Sequence, residues 1–493
     1  MNVVGALGVL PRFSSRLRAL ALGPVALAVA LGGCSEAPEA PVPEHPNFVV
    51  IDVDSLRADR LDRRRGRGWV MPAAHALADR GVRFENAISQ GGWTPPALVA
   101  LLTGRYPLAL DVATAEASFF PEGVPTVAAL LSQHGYRTCA MWWNGAPVVV
   151  PPAREAPGSA PPAATGSLFG AGFERQILAM GPANTPSERL RVYRDWFEQA
   201  PDEPFFLFVH DFDIHIAAAP GLTEAIGRFA SLDPPCGQVP RADGYRDLGA
   251  QRGDEEAVRH TDACYDGAVS VFDEALGTLL DLLDERGLRD RTFVVLVSNH
   301  GEVLSEHEPP YNHGHLYDSV LRVPLVIAGP GVGPGGARVE AQVQGIDLAP
   351  TLLDLAGVPA DPGFDGLSVR PLLGGAATPF PERTAFSLSN ARLLSLRTRD
   401  DKLVVHGRPG DPDDPERFEH YDLRADPGEV HNDFEARGAA LQGLVERLHR
   451  FRSARSTQRG ERLDLEADAL ERALRERGYW ELAGGAPDPP STP

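Results

Sequence analysis

Short, continuously apolar runs recur along the chain, and most are separated from the next by a helical stretch. They are NFVVIDVD (47–54), GVRFENAIS (81–89), YRTCAMWW (136–143), PFFLFVHDFD (204–213), RTFVVLVSNHG (291–301) and VPLVIAGPG (323–331). A strand that is apolar on both sides must be covered on both sides. Helical periodicity lies between the runs at 71–81, 125–135, 186–199 and 266–286. This alternation predicts an α/β fold, a mainly parallel sheet sandwiched by helices. Ligands of such sheets lie off the carboxyl ends of the strands. The polar residues Asp54, His210, Asp213, His215, Asn299 and His300 fall at or just beyond those ends.

One helix start stands out, in GGWTPPALVALLTGRYP (91–107). Thr94 has the residue type of an N-cap, Pro95 suits the first helical position and Gly104 is a stop. A hydroxyl there sits where unpaired backbone N–H groups and the helix dipole favour an anion. Capping alone is the other reading of Thr94.

The formal net charge of −20 argues against nucleic acid as a partner, because phosphate binding needs a basic surface. Lys402 is the only lysine, so a site must draw its cations from Arg and His. Residues 1–33 have the form of an export leader, with Arg12, Arg16 and Arg18 ahead of the apolar run Ala19–Leu31. Leu31-Gly32-Gly33-Cys34 resembles a lipobox. The expectation is an exported lipoprotein, periplasmic or outer-membrane anchored, held to the membrane by a lipid on Cys34. Residues 34–46 form a Pro-rich tether. The expected domain runs over 47–378, a C-terminal subdomain with helices over 379–482, and a disordered tail over 483–493. Cys139 in an apolar run predicts a buried free thiol, and export permits a Cys236–Cys264 disulfide.

Over nearly its whole mature length the chain resembles the sulfatases of the alkaline phosphatase superfamily. The motifs that carry the resemblance are VDSLRADRL, GVRFENAIS, LLTGRYP, TVAALLSQHGYRT, PFFLFVHDFDIH, YDGAVSVFDEALGTLL, SNHGE, HGHLYDSVLRVPLVIAGPG, DLAPTLLDLAG, DGLSVRPLL and HYDLRADPGE, in the family's order. The resemblance implies an alkaline phosphatase-like sheet with a small C-terminal α+β subdomain. It also implies a nucleophile and a divalent cation on either side of an ester sulfur or phosphorus.

Carried over residue by residue, the resemblance makes Asp54, Asn299 and His300 metal ligands, with Asp52 as a further candidate carboxylate. Ca²⁺ is the expected ion, with Mg²⁺ or Mn²⁺ as alternatives. Ser55 and Asn299 stand where relatives place carboxylates, which lowers the charge available to a cation and makes occupancy doubtful. Thr94 takes the nucleophile position of a Cys-x-Pro-x-Arg motif, Pro96 is kept, and Leu98 replaces the Arg. Threonine cannot give formylglycine. The lysine expected after Tyr136–Trp143 reads Trp143-Asn144. His215 matches a residue that contacts the ester, while His313 and His315 are candidate proton donors to the leaving group. The implied activity is metal-assisted hydrolysis of a small-molecule or glycan sulfate or phosphate ester, not dependent on formylglycine. The alternatives are an inactive sulfatase-fold envelope protein that binds a sulfated glycan or a partner, and a phosphoryl transferase using Thr94.

Overall fold

The computed structural model describes residues 43–456, apart from 111–122, 144–171, 180–185, 200–202, 216–225, 229–254, 308–312, 334, 375–378, 391–392, 408–411 and 413. The six apolar runs become strands β1 (Asn47–Val53), β2 (Val82–Ile88), β3 (Arg137–Trp143), β5 (Phe205–Asp211), β6 (Thr292–Ser298) and β7 (Arg322–Ala328), and β4 (Arg175–Ala179) and β8 (Ala337–Gln344) are two further strands that none of those runs marked. They form one sheet in the order β8-β2-β7-β6-β1-β5-β3-β4. Every neighbouring pair is parallel except those of β7, which runs antiparallel to β2 and β6.

Burial explains why β1 is apolar without alternation. Phe48 and Val50 belong to the core on one face of the sheet, whereas Val49, Ile51 and Val53 belong to the core on the other. Helices α2 (Thr94–Thr103), α3 (Val127–Gln133) and α6 (Leu348–Leu355) contribute to the first core. Helices α1 (Pro72–Ala78), α4 (Pro186–Glu198) and α5 (Glu255–Glu285) contribute to the second. By their parity, Asp52 and Asp54 point to the side of Phe48 and Val50, at the carboxyl end of the central strand.

A second, antiparallel sheet follows, made of β9 (Ala385–Asn390), β10 (Leu393–Arg397), β11 (Asp401–His406) and β12 (Arg417–Asp422). Helix α7 (Gln442–Ser456) packs on it through Leu448, and Phe451 stacks on Phe386 with centroids 4.0 Å apart. The expected fold class therefore holds, including the C-terminal α+β part.

One local expectation differs from what is observed. Helix α5 begins at Glu255 rather than Asp266, because its first turns serve an ionic network rather than the core. There Asp262 and Asp266 pair with Arg60 and Arg63. Asp347 precedes α6 but makes no side-chain cap to it. Its carboxylate instead accepts the Gln344 and Leu367 N–H groups, each at 2.8 Å, and pairs with Arg383.

The leader with Cys34, residues 151–166, Cys236, Leu470, Leu474 and the tail lie outside the described residues. Cys139 is free and buried, as expected. Cys264 is disulfide-bonded, and its partner lies outside the described residues. Among the described residues no helix is long and apolar enough to cross a membrane.

The two sheets are tied together by the only lysine. Lys402, on β11, is fully buried with Nζ 2.7 Å from Asp318 Oδ1 and 2.8 Å from Glu429 Oε1. Arg397 adds a contact to Asp318 at 2.8 Å. Removing one partner of a buried ion network strands the remaining charges. Lys402→Met should lower unfolding stability by about 3–5 kcal/mol in denaturant titrations. Burial pushes the Glu429 carboxyl up to about 7, against the pull of Lys402. A carboxyl raised above its unfolded value of 4.5 takes up a proton on folding, so its contribution to stability falls as pH rises from about 4.5 to 7. Urea titrations at pH 5 and 7.5 should therefore show the advantage of the wild type over Glu429→Gln shrinking at the higher pH.

Candidate active site

The nucleophile loop is shaped by what cannot have a side chain. A Cβ on Gly91 would lie 2.5 Å from the Ala97 nitrogen, and one on Gly92 would lie 2.6 Å from the His315 carbonyl oxygen. The two glycines let the chain pass between the start of α2 and the segment that carries His313 and His315. The same loop is gripped from behind by β9, where Gly92 N–H donates to Leu388 O at 3.0 Å and Leu388 N–H to Gln90 O at 3.1 Å. Ser89 Oγ bonds the Gly91 carbonyl at 3.0 Å and also the Asn299 carbonyl, which fixes the loop to the end of β6.

Trp93, not Thr94, is the N-cap of α2, and Thr94 is the first helical residue. The capping reading is thereby corrected. Thr94 is fully buried, and its hydroxyl donates to Asp54 Oδ2 at 2.7 Å and lies 3.2 Å from His300 Nε2. The hydroxyl is thus available to the site rather than used by its own helix.

Around it the strand ends converge. His300 Nε2 is 3.3 Å from Asp54 Oδ1, and His300 Nδ1 is 2.8 Å from the Gly301 carbonyl. The Asn299 amide donates to Asp54 Oδ2 at 3.3 Å and to Asp52 Oδ2 at 3.2 Å. His210, opposite Asp52 in the β1–β5 register, places Nδ1 2.8 Å from Asp52 Oδ2. Ser55, at φ 63°, turns its hydroxyl onto Asp54 Oδ1 at 3.0 Å, so a hydrogen-bond donor occupies the place of a second carboxylate. Leu98 lies in the apolar core.

The second shell of imidazoles is uneven. His313 stacks over His300 with centroids 4.6 Å apart and lies 4.9 Å from His215, which in turn stacks on Phe212 at 4.2 Å. His315 is directed elsewhere. Its ring is 5.5 Å from Tyr317, and His307, Glu419 and His406 act on it electrostatically. The structure thus brings Asp52, Asp54, Thr94, His215, Asn299, His300 and His313 together and leaves His315 out of that group.

Burial dominates the electrostatics. It pushes His215 down to about 3 and His300 down to about 4, so both are neutral imidazoles near neutral pH. Burial opposes the anionic form of Asp54 as well, but His300, His215, His210 and the Thr94 hydroxyl hold its carboxyl well below the usual range. Burial also disfavours a charged His313. The Glu302 carboxylate, 3.4 Å from Nδ1, outweighs that effect and holds His313 above its ordinary value. Burial disfavours a charged His210 too, but Asp52 outweighs it and holds His210 above its ordinary value; of the two raised imidazoles, His313 is the one stacked over His300, which meets the Thr94 hydroxyl.

Some residues here were not singled out by sequence reading. Glu302 stands within SNHGE, and its buried side chain gave no periodic signal. Arg189 on α4 is buried and paired with Asp211 and Asp213, which accounts for Asp213 as an ion-pair partner. Nothing in its spacing marked it.

The donors fit a divalent cation by type, with one carboxylate, one imidazole, one hydroxyl and one amide (Asp54, His300, Thr94 and Asn299). Asn299 Oδ1 is buried with no hydrogen-bond partner, as an amide oxygen reserved for a cation would be. Among the described residues no three His, Cys, Asp or Glu side chains form a metal-holding group by themselves, so Thr94 and Asn299 are needed to complete the set.

A buried hydroxyl presented to acid and imidazole donors at the carboxyl ends of such a sheet defines the alkaline phosphatase-like ester hydrolases. The sulfatase profile matches residues 46–358, and the profile of the N-sulphoglucosamine sulphohydrolase C-terminal region matches 306–454. The chain belongs to the sulfatase family, a family of sulfuric and phosphoric ester hydrolases. It is 26% identical over 458 residues to the choline-sulfatase of Rhizobium meliloti, covering 83% of this chain and 86% of that one. To the N-acetylglucosamine-6-O-sulfatase of Bacteroides thetaiotaomicron it is 33% identical over 180 residues, 34% of this chain and 31% of that enzyme. The crystal structure of the phosphonate monoester hydrolase of Agrobacterium radiobacter has the same fold, with a TM-score of 0.65 at 22% identity over 83% of this chain and 96% of that one.

His313→Ala should lower kcat on an aryl ester by about 10²–10⁴. His315→Ala should leave kcat within a few-fold, and steady-state assays on both variants check the assignment.

Proposed function

We propose that the protein is a metal-assisted ester hydrolase that uses the Thr94 hydroxyl as its nucleophile, without formylglycine, and that phosphate or phosphonate esters are its better substrates. The observation that carries this is the contact of the Thr94 hydroxyl with Asp54 at 2.7 Å, deep at the strand ends. A threonine side chain has a methyl on Cβ, so its oxidation gives a ketone and never the formyl group. A hydroxyl attack on phosphorus needs no such modification.

Asp54, Thr94, Asn299 and His300 would hold the divalent cation. When bound, it would lower the charge barrier to attack and favour the alkoxide form of a hydroxyl. The residues' own parts are then distinct. Asp54 aligns the Thr94 Oγ through its hydrogen bond, and the helix start beneath keeps that oxygen in place. As the new Oγ–P bond forms, the Thr94 hydroxyl proton passes along its hydrogen bond to Asp54, the bond from phosphorus to the leaving oxygen breaks, and His313 supplies the proton that oxygen takes up. His215, held neutral, orients the ester. Water then cleaves the phosphothreonine, returning the hydroxyl and releasing the acid product.

The names of the relatives support a glycan or other small-molecule ester as substrate. The leader and Cys34 support an exported, lipid-anchored setting.

The test is steady-state turnover of aryl sulfate, aryl phosphate mono- and diesters, and an aryl phosphonate ester, with and without added divalent ions. Thr94→Ala should lose at least about 1000-fold in kcat/KM, whereas Thr94→Ser should keep activity within about tenfold. Equal activity in Thr94→Ala and the wild type would refute the reading. Binding of a sulfated glycan without turnover of any ester would replace it with the binding-only alternative.

A further inference from the structure

The ends of β1, β5 and β6 hold three buried polar atoms without partners, and the hydrolytic reading uses only that of Asn299. Among the described residues Asp52 Oδ1, His210 Nε2 and Asn299 Oδ1 have no hydrogen-bond partner, and all three residues are essentially inaccessible to solvent. A buried polar atom left unsatisfied is destabilising, so three on adjacent strand ends call for a ligand.

His210 is the informative member. Its Nδ1 is 2.8 Å from Asp52 Oδ2, so an N–H on Nδ1 donates to the carboxylate. On the neutral ring this leaves the lone pair on Nε2. Nε2 faces inward, 3.8 Å from Asp54 Oδ2, the oxygen that also receives the Thr94 hydroxyl. A lone pair directed at a carboxylate in a dry interior is repulsive unless a proton or a metal cation lies with them. A carboxylate bonded to one imidazole nitrogen, with the other nitrogen turned to a site, is the arrangement by which proteins orient metal-ligating histidines. Around an ion with bonds of about 2.0–2.2 Å, neighbouring donors stand roughly 3–4 Å apart, and the separations of His210 and of His300 from Asp54 fall in that interval.

We propose that His210 is a ligand of the divalent-cation position, oriented by Asp52, and that it tunes the position toward a transition ion such as Zn²⁺ or Mn²⁺ in preference to Ca²⁺. The donor set becomes Asp54, Thr94, Asn299, His210 and His300, with two imidazole nitrogens and a single carboxylate. Calcium prefers six to eight oxygens, and its affinity rises with the number of charged ligands. Imidazole suits zinc and its neighbours. His210 thereby offsets the carboxylates that Ser55 and Asn299 do not supply. Asp52 is a positioning residue, since it acts through His210.

This inference rests on the reading that the site takes a metal, and the experiment separates the two. Purified protein is stripped with a chelator and then titrated separately with Zn²⁺, Mn²⁺ and Ca²⁺. The readouts are metal per chain by elemental analysis, metal-dependent change in Tm, and the visible absorption of a Co²⁺-loaded sample. Expected results are about one equivalent of Zn²⁺ or Mn²⁺, with Ca²⁺ bound at least tenfold more weakly. His210→Ala and His210→Gln should both weaken transition-ion binding by about 10–100-fold, alter the Co²⁺ spectrum and leave Ca²⁺ binding unchanged. Asp52→Asn should weaken Zn²⁺ binding by a similar factor. Circular dichroism and Tm of the metal-free variants report whether they fold, and the Gln variant retains polarity and most of the volume if Ala does not. Stoichiometric metal with unchanged affinity and an unchanged Co²⁺ spectrum in folded His210 variants would overturn this inference alone, as would Ca²⁺ binding as tight as Zn²⁺. No divalent metal on the wild type at all would overturn it together with the metal-assisted mechanism.

Discussion

Two carboxylates ride into the interior on one strand, and much of the site exists to make their burial tolerable. Asp52 and Asp54 are both fully inaccessible at the end of β1. Each is met by imidazole, amide or hydroxyl groups that arrive from β5, β6 and the start of α2. An isolated buried carboxylate would neutralise or force the fold apart. Because the groups that prevent this are also those with nucleophile and proton-transfer chemistry, stability and function share one network here. Removing any of its members acts on both.

The parallel order of β5, β1 and β6 is what makes such a network possible. Parallel neighbours present the same end together, so the last residues of three strands far apart in sequence become neighbours in space. The one antiparallel strand, β7, lies next to β6 and delivers its chain in the opposite sense. The segment carrying His313 precedes that strand and so reaches the strand-end face of the sheet.

Much of this was legible in the sequence, for definite physical reasons. A run such as FVVIDV has no wet face, and that alone placed β1 between two helical layers. The resemblance motifs located Thr94, Asp54, Asn299 and His300, and the structure gathers them within hydrogen-bond reach. The side-chain direction of His315 was not legible, because two histidines separated by a single glycine read alike in the sequence. The Asp52–His210 pair was only half visible. Asp52 could be placed by strand parity, but its partner depends on a cross-strand register that no local pattern encodes. The reach of α5 back to Glu255 was hidden for a related reason, since ion pairs with Arg60 and Arg63 replace the apolar stripe that marks a helix.

The grip of β9 on Gly92 has a temporal consequence. Residues 90–92 leave the ribosome early, yet the strand that holds them through Leu388 is made almost three hundred residues later. The Lys402 network that fastens that sheet comes later still. Contacts of such long sequence separation form late and slowly. The nucleophile loop therefore reaches its final shape only when nearly the whole chain has been made, and a half-synthesised polypeptide carries every reacting group in an unassembled form.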